Sequence, residues 1–122
     1  MLNYNILITD GLDARGQSIL REAATVDYRE STPADELINI IAEYDALIVR
    51  GQTRVTGAVM DAASKLKVVG RAGVGVDNID LEAAQQHRVC VVNAPAATTL
   101  AVAEQTLALM LAIVPWNQAG QT

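Results

Sequence analysis

Two arginines and a run of glycines are the residues of this sequence best suited to chemistry. Arg50 follows the apolar run Asp45-Ala46-Leu47-Ile48-Val49, and Arg71 follows Leu66-Lys67-Val68-Val69-Gly70. Each therefore ends a strand-like segment. The stretch Gly70-Arg71-Ala72-Gly73-Val74-Gly75-Val76-Asp77-Asn78-Ile79-Asp80 lies between a strand and a helix, where backbone N–H groups can meet an anion. Guanidinium groups grip carboxylates and phosphates in bidentate fashion. The pattern points to a receptor for a small anionic metabolite. The plain alternative is two solvated arginines and a tight turn that uses glycine to reach positive φ. The stretch is not a dinucleotide fingerprint, because Gly73-x-Gly75 would need a third glycine where Asn78 stands.

Other groups read as structural. His87, the one histidine, ends a helix-like segment beside Arg88 and reads as a surface residue before a turn. Cys90 lies within a strand-like run and reads as an inert core thiol. Asp77 and Asp80 read as turn and cap residues rather than metal ligands, and no metal is expected. Asp10 ends the first strand as an acid does in a response regulator. A phosphoacceptor Asp would then have to end the third strand, and Arg50 stands there. A flavin phosphate loop after strand one is excluded as well, since Asp10-Gly11-Leu12-Asp13 would repel phosphate.

The elements that position these residues alternate strictly. Strands are expected at residues 5–9, 25–28, 45–49, 66–69 and 89–92. Helices are expected at 13–24, from 31–33 onward with Pro33 in the first turn, at 56–63, from Asp80 to Gln86, and from Thr98 or Thr99 until Pro115 stops the last. Right-handed βα crossovers then give a parallel sheet covered on both faces. The fold class is α/β: a five-stranded, flavodoxin-like three-layer α/β/α domain with strand order 2-1-3-4-5. In such sheets ligands bind outside the carboxyl ends of the strands, where Arg50 and Arg71 fall.

Composition agrees. The 122 residues suffice for one core, and 51% hydrophobic against 19% charged residues predicts a folded chain. Aromatics are 3% and Phe is absent, so Val, Ile, Leu and Ala must build the core. A net charge of −5 without basic runs argues against nucleic acid. The longest apolar run, 107–114, is too short to cross a bilayer, no secretory signal is seen, and a soluble cytoplasmic protein is expected.

The wording of several segments resembles a known family. Val49-Arg50-Gly51-Gln52-Thr53-Arg54-Val55-Thr56 is similar to the first substrate loop of D-isomer-specific 2-hydroxyacid dehydrogenases, and residues 68–80 to their second. Val91-Val92-Asn93-Ala94-Pro95 and residues 102–111 resemble the hinge and the helix after it. Within the family the wording is closest to the D-3-phosphoglycerate dehydrogenases, which oxidise 3-phosphoglycerate with NAD in serine biosynthesis. The resemblance implies that Arg50, Gly51, Arg71, Gly73, Val74 and Gly75 bind a phospho-hydroxyacid substrate, with Val74 close to the nicotinamide. One position departs: Gly51 stands where those enzymes usually carry a serine hydroxyl. The resemblance also implies a substrate-binding domain over 1–97 and a crossover helix over 98–122 leading toward a nucleotide-binding domain. That domain holds the phosphate cradle and a Glu–His acid–base pair. Without them the chain is expected neither to bind NAD tightly nor to catalyse alone.

Residues 107–114 are apolar around the whole helix circumference, whereas a helix on one sheet face needs only a stripe. Self-association through residues 98–114 is therefore expected, face to face or by exchange about a hinge at 93–98; the alternative is a helix folded back on its own sheet. The tail, Trp116-Asn117-Gln118-Ala119-Gly120-Gln121-Thr122, departs from the family wording. Two other functional readings stand beside the dehydrogenase one. The chain could be a stand-alone module that senses an anionic acid, or an interaction protein that docks through its last helix.

Overall fold

Short, nearly continuous apolar runs decide the architecture, because the inner strands must bury both of their faces while the edge strand over residues 25–28 stays largely exposed. The computed structural model describes residues 4–30, 32–72, 77–94 and 99–112. Five parallel strands form one sheet: β1 (Asn5–Ile8), β2 (Thr25–Tyr28), β3 (Ala46–Val49), β4 (Val68–Ala72) and β5 (Cys90–Ala94). Their order is β2-β1-β3-β4-β5, as expected from the sequence. The connecting helices are α1 (Ala14–Ala23), α2 (Ala34–Ile40, continued by a 3-10 turn at Ile41–Glu43), α3 (Gly57–Ala62), α4 (Leu81–Gln86) and α5 (Thr99–Ala112).

Side chains sort by strand parity onto two cores. Leu7, Leu47, Val49 and Val69 pack beneath α2, α3 and α4 with Leu37, Val59 and Met60. Ile6, Ile8, Ile48 and Val68 pack on the other face with Leu20 of α1 and with Val102, Ala103 and Met110 of α5. Each fully buried aliphatic side chain stabilises the fold by about 1.5–3 kcal/mol. Three of these helices start where the sequence offers a side-chain oxygen. Asp13 accepts from Gly16 N–H, Thr56 from Val59 N–H and Asp80 from Ala83 N–H.

Two strand ends differ from the sequence expectation. β4 begins at Val68 and runs to Ala72, so Gly70 and Arg71 are strand residues and not the start of a loop. β5 likewise continues through Asn93 and Ala94, which the sequence reading gave to the hinge. The reason is pairing: Arg71 is in register with Val49 on one side and Asn93 on the other, and Ala72 with Ala94. A strand with partners on both edges keeps bonding past its apolar run. Gly70 serves close approach rather than positive φ. A Cβ there would lie 2.6 Å from Thr106 Oγ1 and 3.0 Å from Val102 Cγ1, so α5 can sit against the sheet only over a bare backbone.

The last helix folds back on the chain's own sheet. It packs against β4, β5 and α1, which buries Val102, Ala103, Thr106 and Met110. Contact with a sheet on one side and a neighbouring helix on another accounts for much of its apolar circumference; Leu111 stays 48% exposed. The proposed hinge positions 95–98 and the positions beyond Ala112 lie outside the described residues.

Candidate functional site

The carboxyl ends of β1, β3 and β4 gather the residues that the sequence singles out. Arg50 is the first residue beyond β3 and is exposed; Arg71, in β4, is half-buried. Both flank Gly51. The Arg71 Nη2 atom lies 3.5 Å from where a Cβ on Gly51 would stand. On the other side Arg50, Gly51, Gln52 and Asp10 line an open cleft of about 450 Å³. That volume is within the range of small-molecule sites. The structure therefore brings Arg50, Gly51 and Arg71 to one end of the sheet. Gly73, Val74 and Gly75 lie outside the described residues.

Asp10 organises the first loop. Its Oδ2 accepts from the backbone N–H groups of Arg50 at 2.9 Å, Gln52 at 3.2 Å and Thr53 at 2.8 Å. Its Oδ1 accepts from the Thr53 hydroxyl at 2.5 Å, and that hydroxyl lies 2.7 Å from the hydroxyl of buried Thr9. Three converging N–H groups would otherwise make an anion-binding nest. Here the nest is filled from within by a carboxylate of the same chain. Anion binding beside residues 50–53 must then draw on the arginine side chains more than on those three N–H groups.

Asn78 joins the two loops. It is buried, its Nδ2 donates to the carbonyl oxygens of Arg50 at 2.9 Å and Thr53 at 2.7 Å, and its Oδ1 accepts from Arg71 Nε at 2.7 Å. Backbone bonds from Val55 to Asn78 and from Asp80 to Val55, both 2.9 Å, close a short bridge between Val55 and Ile79. The position where a dinucleotide loop would need its third glycine thus holds a side chain with its polar atoms engaged. Gly73 and Gly75, the glycines that such a loop would use, lie outside the described residues.

Sequence reasoning missed Asp10, Thr53 and Asn78 as site organisers. The sequence reading weighs Asp10 only as a response-regulator-like acid and a phosphate-repelling loop residue, and Asn78 only as a missing glycine. The signal was present in residue type, since Asp and Asn at strand and turn ends commonly bond nearby backbone. The backbone groups that the Asp10 and Asn78 side chains bond, however, are 25 to 43 positions away. Asp80 is the α4 cap, as expected. His87 has a carboxylate beside it that the sequence did not place: Nε2 is 2.8 Å from Asp61 Oδ1. This exposed pair sits where α3 and α4 end, at the opposite end of the sheet from the arginines.

Residues 6–118 match the family described as D-isomer specific 2-hydroxyacid dehydrogenase, catalytic domain. The chain belongs to that family. Among its relatives are D-3-phosphoglycerate dehydrogenases from Synechocystis sp., 45% identical over 108 residues, and from Methanocaldococcus jannaschii, 50% identical over 107. Each alignment covers 88% of this chain and 20% of the relative. A hydroxypyruvate reductase from Thermotoga maritima is 38% identical over 113 residues, covering 92% of the chain and 37% of the reductase. Among solved structures, NAD+-bound 3-phosphoglycerate dehydrogenase from Entamoeba histolytica superposes with a TM-score of 0.67 at 27% identity, over 75% of this chain and 33% of that one. This 2-hydroxyacid dehydrogenase family member thus spans a minor part of the length of the relatives it matches.

Proposed function

We propose that this chain is the substrate-binding domain of an NAD-dependent 2-hydroxyacid dehydrogenase acting on a phosphorylated 2-hydroxy acid of the 3-phosphoglycerate class. The observation that carries the reading is the placement of Arg50 and Arg71 on either side of Gly51, at the carboxyl end of a parallel sheet. A substrate with a carboxylate and a phosphate presents two anionic groups to two guanidinium groups. Each charge-assisted contact also fixes orientation, which hydride transfer requires.

Bound NAD supplies the hydride acceptor in such an enzyme. The chain's part in this reading is to grip and orient the substrate anion through Arg50 and Arg71. In this reading the nicotinamide and the proton-accepting group are presented from another domain of the enzyme, and the chain alone does not reduce NAD.

Calorimetric titration of the chain with 3-phosphoglycerate tests the reading. Binding should weaken markedly when glycerate, which lacks the phosphate, is used instead, and when Arg50 or Arg71 is replaced by Ala. Affinity indifferent to both arginines, or NAD reduction by this chain alone, would refute it.

A further inference from the structure

We propose that Asn78 is a positioning residue for the anion site: its carboxamide sets the plane of the Arg71 guanidinium and ties that group to the Arg50 loop, so that both arginines meet one anion as a unit. The inference rests on the substrate reading above and adds a residue with no predicted contact to the substrate.

The bonding admits one amide orientation. The side-chain oxygen faces an N–H donor, Arg71 Nε, and the side-chain nitrogen faces two acceptors, the carbonyls of Arg50 and Thr53. Rotating the amide by half a turn would set oxygen against two oxygens and NH2 against N–H. Both N–H bonds that a carboxamide can donate are made. A guanidinium is planar, so holding Nε at 2.7 Å fixes the direction of its terminal nitrogens, and Nη2 is the one beside Gly51.

Holding the loops together does not require this side chain. The backbone bonds Val55 N–H to Asn78 and Asp80 N–H to Val55 already join them. What the carboxamide adds is a rigid link between the Arg71 head group and the backbone oxygen of Arg50 itself. An error of an ångström in such a link is costly to a site that must align two charges.

The test uses the whole chain, with unsubstituted protein and the variants Asn78→Ala, Asn78→Asp, Arg71→Ala and the Asn78→Ala/Arg71→Ala double variant. 3-Phosphoglycerate binding is measured well below the unfolding transition, and the Arg71 Nε–H signal is followed by nitrogen-15 NMR. Asn78→Ala should weaken binding roughly tenfold or more and abolish the slowly exchanging Nε–H signal. Arg71→Ala should then cost far less in the Asn78→Ala background than in the unsubstituted chain, because the unaligned arginine contributes little. Asn78→Asp keeps an acceptor for Arg71 but sets oxygen against both carbonyls and adds a negative charge, so it should bind more weakly still. That variant decides the matter if Asn78→Ala does not fold.

A role in folding alone predicts a lower unfolding midpoint, unchanged affinity in the folded variants and additive effects with Arg71→Ala; that result overturns the proposal. If the unsubstituted chain does not bind 3-phosphoglycerate, the substrate reading falls. The Arg71 signal then still decides the positioning: its persistence in Asn78→Ala refutes it, and its loss upholds it.

Discussion

The Asp10 carboxylate reaches 43 positions along the chain to hold the backbone N–H of Thr53 at 2.8 Å, and the same oxygen holds the N–H of Arg50 at 2.9 Å. The loop that carries Arg50 is thereby anchored to the end of a different strand. Hydrogen bonds to a charged acceptor contribute about 1.5–3 kcal/mol each when desolvated and less at a partly exposed site. Asp10→Ala should therefore destabilise the chain by about 1–3 kcal/mol and loosen Arg50 at the same time. Asp10→Asn keeps one oxygen for the three N–H groups and should lose less. Denaturant midpoints for both variants check the order. Equal losses would mean that the shared-acceptor geometry is not what stabilises the loop.

Thr106 and Gly70 give a second, independent prediction. Among the described residues the fully buried Thr106 hydroxyl has no hydrogen-bond partner, and it occupies the space that a Cβ at position 70 would need. Gly70→Ala must push α5 off β4 and should cost about 1–3 kcal/mol. Thr106→Ala should cost less than about 1 kcal/mol, since the lost contacts are offset by removing an unpaired buried hydroxyl. The double variant should recover most of the Gly70→Ala loss, because the new methyl enters the vacated space. Thermal unfolding of the three variants gives the coupling, and strict additivity would contradict the packing described.

Much of the fold is legible in the sequence because its causes are local. Short runs such as Ala46-Leu47-Ile48-Val49, alternating with helices, point to a parallel doubly wound sheet, and the flavodoxin-like order is the one found. The errors fall where causes are not local. Gly70 looks like a loop glycine until Thr106, thirty-six positions later, is seen to need its bare backbone. β4 extends past its apolar residues because both neighbouring strands continue to pair with it. The two arginines are conspicuous because each is a charge at a strand end, and the structure places both at one end of the sheet. Asn78 and Asp10 were not recognised as organisers because their partners, Thr53 and Arg50, lie on another loop.

Tyr44 predicts an alkaline limit to stability. Its ring is buried and its hydroxyl donates to Asp27 at 2.6 Å. Burial first, then the hydrogen bond and negative charge of Asp27, push the phenol up to about 12 from its ordinary 10.0. The folded chain thus holds this proton more tightly than the unfolded one. The resulting stabilisation is fully present below pH 10, shrinks above it, and is lost as pH rises through about 12. Tyr44→Phe should lower stability at neutral pH by about 1 kcal/mol and flatten the decline between those values. Tyrosinate absorbance, followed beside the unfolding midpoint as pH is raised, checks it. A decline of the same steepness in Tyr44→Phe would assign the effect elsewhere.

Gly51→Ser asks whether the missing side chain beside the arginines limits affinity. A Cβ at position 51 meets Arg71 Nη2 at 3.5 Å, an ordinary contact, and Gly51 is not among the positive-φ glycines. The substitution therefore needs no backbone shift. Replacing glycine at an unstrained position reduces unfolded-state freedom, which stabilises by about 0.4–1 kcal/mol. The added hydroxyl would sit between the Arg71 head group and the cleft lined by Arg50, where it can donate to an anion held by either. One added hydrogen bond contributes about 0.5–1.5 kcal/mol, so 3-phosphoglycerate should bind roughly three- to tenfold more tightly with stability unchanged or slightly raised. Gly51→Ala is the control, since it adds the carbon without the hydroxyl and should leave affinity near that of the unsubstituted chain. Should Ala tighten binding as much as Ser, the gain comes from loop stiffness and not from the hydroxyl. Should both weaken it, the substrate occupies the very space that Gly51 leaves open.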